Sequence, residues 1–82
     1  MKLTIAIPTY NRNKILKKNL ILLLPQITSD CRILIIDNCS DIPVIDSLSD
    51  IINQYSNIDI NIIRNPYNVG LTGNILRCFE MC

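Results

Sequence analysis

Ile33-Leu34-Ile35-Ile36 is an unbroken apolar run closed by Asp37, and no other stretch constrains the fold as much. A strand with one wet face alternates, whereas a run without alternation is covered on both faces. Strands of that kind belong to parallel sheets, whose crossover helices supply the cover. The flanking sequence has the matching parts. Leu3 to Ile7 reads as a first strand, ended by Pro8, which cannot donate to a ladder. Arg32 to Asp37 is the second. Ile58 to Arg64 is a third, with Ile58, Ile60 and Ile62 facing one way and Asp59 and Asn61 the other, as on an edge strand.

Helical patterns fall between these runs. Asn11 or Asn13 can cap a helix to about Leu24, with Ile15, Leu16, Leu20 and Leu23 as its apolar stripe and Pro25 as its stop. After a loop from Ser40 or Asp41, residues Val44, Ile45, Leu48, Ile51, Ile52 and Tyr55 recur at helical spacing. A last helix begins near Gly70 to Thr72 and carries Ile75, Leu76, Phe79 and Met81. The fold class is α/β: a Rossmann-like parallel sheet with flanking helices, in the order βαβαβα. Right-handed crossovers put the second strand in the middle, the third on one edge and the first on the other. The first strand is apolar on both faces, and the last helix carries neither a cap nor a polar tail. Residues 1–82 therefore read as the amino-terminal portion of a larger domain.

Composition narrows the function classes. Apolar residues make up 49% and charged residues 18% of the chain, which argues for a packed core over disorder. The net charge of +1 supplies no field for nucleic acid or an anionic membrane, and Lys14, Lys17 and Lys18 read as a solvated helix face. Leu20 to Leu24 is far short of the roughly 20 residues of a membrane span. Met1-Lys2 leads straight into a strand, without a signal-peptide pattern. The expected compartment is the cytoplasm. Cys31, Cys39, Cys78 and Cys82 match no zinc spacing, there is no histidine, and all four are expected to be reduced structural thiols.

In an open α/β sheet, ligands bind outside the carboxyl ends of the strands. The first exit is Pro8-Thr9-Tyr10-Asn11-Arg12, where Tyr10 can stack on a base or shield the core, and Arg12 can meet phosphate or solvent. The second is Asp37-Asn38-Cys39-Ser40-Asp41, able to bond a base edge or a ribose hydroxyl, or simply to make a turn. The third runs from Asn65 through Gly70 to Gly73-Asn74, where glycines and a helix start suit phosphate or just a helix entry. It matches neither the Walker loop nor the dinucleotide fingerprint. Each exit alone is weak, but all three share one edge.

Ile5-Ala6-Ile7-Pro8-Thr9-Tyr10-Asn11-Arg12, Ile35-Ile36-Asp37-Asn38-Cys39-Ser40-Asp41 and the stretch Asn65 to Asn74 together resemble the start of the family-two glycosyltransferases, nucleotide-sugar enzymes of the GT-A fold. The stretch from Asn68 to Glu80 is most similar to members that build bacterial capsule and other surface polysaccharides. The resemblance implies a nucleotide-sugar donor, with Pro8, Thr9, Tyr10 and Arg12 along the nucleoside pocket. Asp37 and Asn38 would bind base and ribose, and Asn65, Gly70 and Asn74 would border the nucleotide. Asn38 stands where many members carry a second acid, and Cys39 where Gly or Ala is commoner. An amide donates and accepts, so it does not choose between uracil and thymine. The acceptor would be a glycan or a lipid-linked sugar, with membrane association only through further segments.

Such enzymes hold the diphosphate through Mg²⁺ or Mn²⁺ on an Asp-x-Asp-type motif, and an acid serves as general base. Neither is present in these residues. Asp46, Asp50 and Asp59 lie on the second helix or third strand, away from the exits. No catalytic or metal-binding residue is therefore expected in the chain itself. Two other readings are a non-catalytic fragment and a flavodoxin-like nucleotide module. The latter would carry acids at the first exit, where this chain has Pro8 and Thr9.

Overall fold

The computed structural model describes residues 3–28 and 30–81, with side chains as far as Cys78; the expected inward residues Phe79 and Met81 therefore lie outside the described side chains. The elements follow in the order β1 (Leu3–Thr9), α1 (Asn13–Leu23), a 3-10 turn (Leu24–Gln26), β2 (Cys31–Asp37), α2 (Val44–Gln54), β3 (Asp59–Arg64) and α3 (Gly70–Met81). The strands form one sheet in the order β1-β2-β3, with both pairs parallel. This is the Rossmann-like α/β architecture expected from the apolar runs.

β2 lies in the middle, with Ile33, Leu34, Ile35 and Ile36 buried on both faces. Ile33 and Ile35 point to one side, where Leu16, Leu20 and Leu24 meet Val44, Leu48 and Ile51 of α2. Leu34 and Ile36 point to the other, where they pack on Cys78 of α3. Both crossover helices therefore cover one face, as two right-handed crossovers moving in one direction require. α3 reverses, crosses to the opposite face and packs on β1 and β2. Full burial of a side chain such as Ile33, Ile35 or Leu48 stabilises by roughly 1.5–3 kcal/mol.

Four local expectations need correction. β1 does not end at Pro8 but runs through it to Thr9. The Leu3 N–H donates to the Asp30 carbonyl and the Thr9 carbonyl accepts from the Asn38 N–H, so odd-numbered residues face β2. Pro8 has the opposite parity, and its missing donor falls on the outer edge, where no ladder bond is lost.

Neither Asn11 nor Asn13 caps α1, which starts after Arg12 without a side-chain cap. The Asn13 Nδ2 instead donates to the Ile42 carbonyl and Ser47 Oγ, both at 2.9 Å, tying α1 to α2. Ile15 and Ile45 leave the expected stripes and are exposed. On α3 the inward residues are Asn74 and Cys78, while Ile75 and Leu76 face outward. Hydrogen-bonding demand at the sheet edge, argued below, sets that rotation.

Candidate nucleotide site

The three strand exits converge as a hydrogen-bonded unit. At the first, Asn11 adopts φ 50, a left-handed conformation that asparagine tolerates better than most residues. Its N–H donates to Ser40 Oγ at 2.9 Å, and its Oδ1 accepts from the Asp41 N–H at 2.8 Å. The first two exits are thereby stapled together.

Asp37 closes the second exit from beneath, with only 1% of its surface exposed. Its Oδ1 accepts from the Ser40 N–H at 2.9 Å, and its Oδ2 from the Val44 N–H and Arg64 Nη1, each at 3.0 Å. Burial pushes this carboxyl up, but the Val44 N–H, Ser40 and the Arg64 guanidinium together hold it below the ordinary carboxylate value. Arg64 also donates through Nη2 to the Ser40 carbonyl at 3.0 Å. Beside Asp37, Cys39 is held at φ 60, where a glycine would sit without strain.

The third exit is built from amides. Asn38 Nδ2 donates to Asn68 Oδ1 at 2.8 Å, and Asn38 Oδ1 accepts from Asn65 Nδ2 at 3.1 Å and the Val69 N–H at 2.9 Å. Asn65 Nδ2 also donates to Asn74 Oδ1 at 2.9 Å, and Asn74 Nδ2 to the Ile36 carbonyl at 3.0 Å. An amide on α3 thus bonds both Asn65 and the sheet backbone, which turns Asn74 inward ahead of Ile75. Gly70 opens α3 at φ 80, and nothing lies within 4 Å of an added Cβ, so the demand there is conformational.

Above these bonds lies a cleft of about 460 Å³, bounded by the end of β1 and by α1 and α3. Seven of the nine expected residues line it: Pro8, Thr9, Tyr10, Arg12, Asn38, Gly70 and Asn74. Asp37 and Asn65 do not; they stand behind the wall and hold it. Sequence reasoning missed Asn19 and Leu71 in the lining, and Arg64 and Ser40 in the support. A signal for Arg64 existed, since opposite charges end neighbouring strands and the register pairs Asp37 with Arg64.

The divalent cation implied by the resemblance finds no ligand set here. Among the described residues, no group of three or more His, Cys, Asp or Glu side chains comes together to hold a metal ion. Asp37 is engaged by three donors, and Asp41 Oδ2 faces Asn11 Nδ2 at 3.4 Å. Asp46 and Asp50 lie on α2, and Asp59 begins β3 at the opposite end of the sheet. Among the described residues, no helix is long and apolar enough to cross a membrane.

The structure is similar to that of a mannosyltransferase from Pyrobaculum calidifontis in complex with GDP-Man and Mn2+, with a TM-score of 0.76 at 11% identity. The match covers 99% of this chain and 24% of that one, and at such identity it speaks for the fold alone. No curated protein matches the chain significantly. The sequence profile of glycosyl transferase family 2 matches residues 4–82, nearly the whole chain, and the chain therefore belongs to that family.

Proposed function

We propose that this chain forms the donor-nucleotide-binding part of a glycosyltransferase. The enzyme would move a sugar from a nucleotide-sugar donor to a glycan or lipid-linked acceptor during surface polysaccharide assembly. The observation that carries the reading is the cleft at the end of β1, where Thr9, Tyr10 and Arg12 meet the amino end of α3. Tyr10, 43% exposed, offers a ring on which a base stacks. Arg12 supplies a guanidinium for phosphate, and the α3 amino end adds a favourable dipole at Gly70 and Leu71. Pro8 and Thr9 form the floor. Asp37, Asn38, Asn65 and Asn74 hold the loops around the ligand.

The neighbouring fold was solved with GDP-Man and Mn2+, which supports a nucleotide-sugar donor and a divalent ion for the family. The acids described here do not fit such an ion, so no catalytic step is assigned to these residues, and turnover by them alone is not expected. The proposed location is the cytoplasm.

Titration calorimetry with UDP and GDP tests the reading. Saturable binding is expected, weakened on the order of tenfold by Tyr10→Ala and by Arg12→Ala, and unchanged by Asp50→Ala on the distant α2. Equal losses in all three variants would remove the cleft from the site.

A further inference from the structure

Three side chains line the cleft with polar groups that no hydrogen bond among the described residues engages: the Thr9 hydroxyl, the Asn19 amide and the Nδ2 of Asn68. Thr9 is only 7% exposed, so a ligand rather than solvent is the natural partner of its hydroxyl. A hydroxyl rotates to donate or to accept, however, and the exposed Asn19 amide is free to turn over. Neither fixes what a ligand must offer. Asn68 does. Its Oδ1 accepts from the Gly70 N–H at 2.7 Å and from Asn38 Nδ2 at 2.8 Å. A backbone N–H only donates, so the atom that meets it is the oxygen, and turning the amide over would set donor against donor. Asn38 is oriented in the same way, because its own Oδ1 accepts from the Val69 N–H at 2.9 Å. Both lone pairs of the Asn68 oxygen are therefore taken, and this exposed residue presents the cleft with donor hydrogens alone.

The ligand group that answers a fixed donor is the one whose sense differs between nucleotides. Arg12, the other donor-only side chain of the lining, meets phosphate, which every nucleotide carries. Ribose hydroxyls both donate and accept. Tyr10 stacks on any base, but a stacked base turns its edge to the remaining walls of the cleft. On that edge uracil, thymine, hypoxanthine and guanine carry a carbonyl where cytosine and adenine carry an amino group. The carbonyl accepts from Asn68 Nδ2. The amino group opposes its own hydrogens to it, and strong discrimination arises when a wrong ligand leaves polar groups of a site unpaired.

We infer that Asn68, held by Gly70 and Asn38 with its Nδ2 toward the ligand, is a specificity-determining residue of this cleft, selecting nucleoside diphosphates whose base carries a carbonyl in place of the amino group of cytosine or adenine. The inference rests on the nucleotide-binding reading above and adds the class of base to it.

Affinities for UDP against CDP, and for inosine diphosphate against ADP, test it, since each pair exchanges the carbonyl for an amino group on the same ring. Both ratios are expected to favour the carbonyl by about tenfold or more. Asn68→Asp keeps an oxygen for Asn38 and the Gly70 N–H but turns the free group into an acceptor. Both ratios are then expected to fall below about tenfold, whatever uniform loss the added charge causes at the diphosphate. A ratio below about tenfold in either pair with the parent, or ratios still at about tenfold or more in Asn68→Asp, overturns the inference while leaving nucleotide binding intact. A readout on the parent alone covers the case in which the variant does not fold. The Asn68 side-chain amide protons, followed by NMR, should shift downfield with UDP and inosine diphosphate but not with CDP and ADP, and equal shifts with all four also overturn it. Failure of all four nucleotides to saturate overturns both readings together.

Discussion

At the residue scale, Asp37 does more for the fold than its place in a turn-forming stretch suggests. Its carboxylate satisfies the Ser40 and Val44 N–H groups and pairs with Arg64, so replacing it leaves donors unmet in a buried setting. Asp37→Asn is expected to cost about 2–4 kcal/mol at pH 7 by urea unfolding. The pH dependence has a definite sign. The folded-state pKa lies below 3.8, so the unfolded chain binds the proton more readily. The contribution is complete above that value and is lost as pH falls through the folded pKa. The gap between parent and Asp37→Asn should therefore hold at neutral pH and narrow in acid below 3.8; a gap that widens there would refute the assignment. Cys39 gives the opposite case. At φ 60 it carries left-handed strain, so Cys39→Gly is expected to raise stability by about 0.5–1 kcal/mol, even after the added flexibility of the unfolded chain. Cys39→Val should lower it, and a gain from both would mean that the strain is not what matters.

At the element scale the two faces of the sheet are unequal. α1 and α2 share a large apolar cluster with β2, while α3 rests on Leu34 and Ile36 through Cys78, together with the amide bonds of Asn74. Stability is therefore expected to be lowest in α3. In native-state hydrogen exchange its amides should exchange before those of α2. Asn74→Ala, which removes one of the two acceptors of Asn65 Nδ2 and the side-chain donor to the Ile36 carbonyl, should speed α3 exchange selectively and leave α2 unchanged. Uniform acceleration would show that α3 opens only with the whole molecule. The elements themselves were legible from apolar runs, but their details were not. Pro8 looks like a strand end until the parity of the β1–β2 ladder is known. Asn13 looks like a cap until the Ile42 carbonyl and Ser47 come within reach. Periodicity chose Ile75 and Leu76 for the inward face of α3, because a hydrophobic pattern carries no record of a buried amide that bonds Asn65 and the Ile36 carbonyl.

At the scale of the whole molecule, large apolar side chains remain on the surface. Leu3 lies on β1, Ile15 and Leu22 on α1, and Leu71 and Leu76 on α3. Among the described residues, no strand pairs with the outer side of β1. An unpaired apolar edge of this kind promotes association. Sedimentation velocity is expected to show concentration-dependent self-association, reduced by a Leu22→Lys, Leu71→Lys double variant. A monodisperse monomer at all concentrations would contradict this.

The sequence by itself determined the layered α/β order, the central place of β2 and the edge at which the three strand exits converge, because these follow from which runs are apolar on one face or two. It also pointed to seven residues that do line one cleft. Only the tertiary structure decided that Asp37 and Asn65 stand behind that cleft and that Asn38 is saturated. A side chain's availability depends on which donors and acceptors the fold brings within about 3 Å, and those partners, Val44, Arg64, Val69 and Gly70, lie from 7 to 32 residues away in sequence.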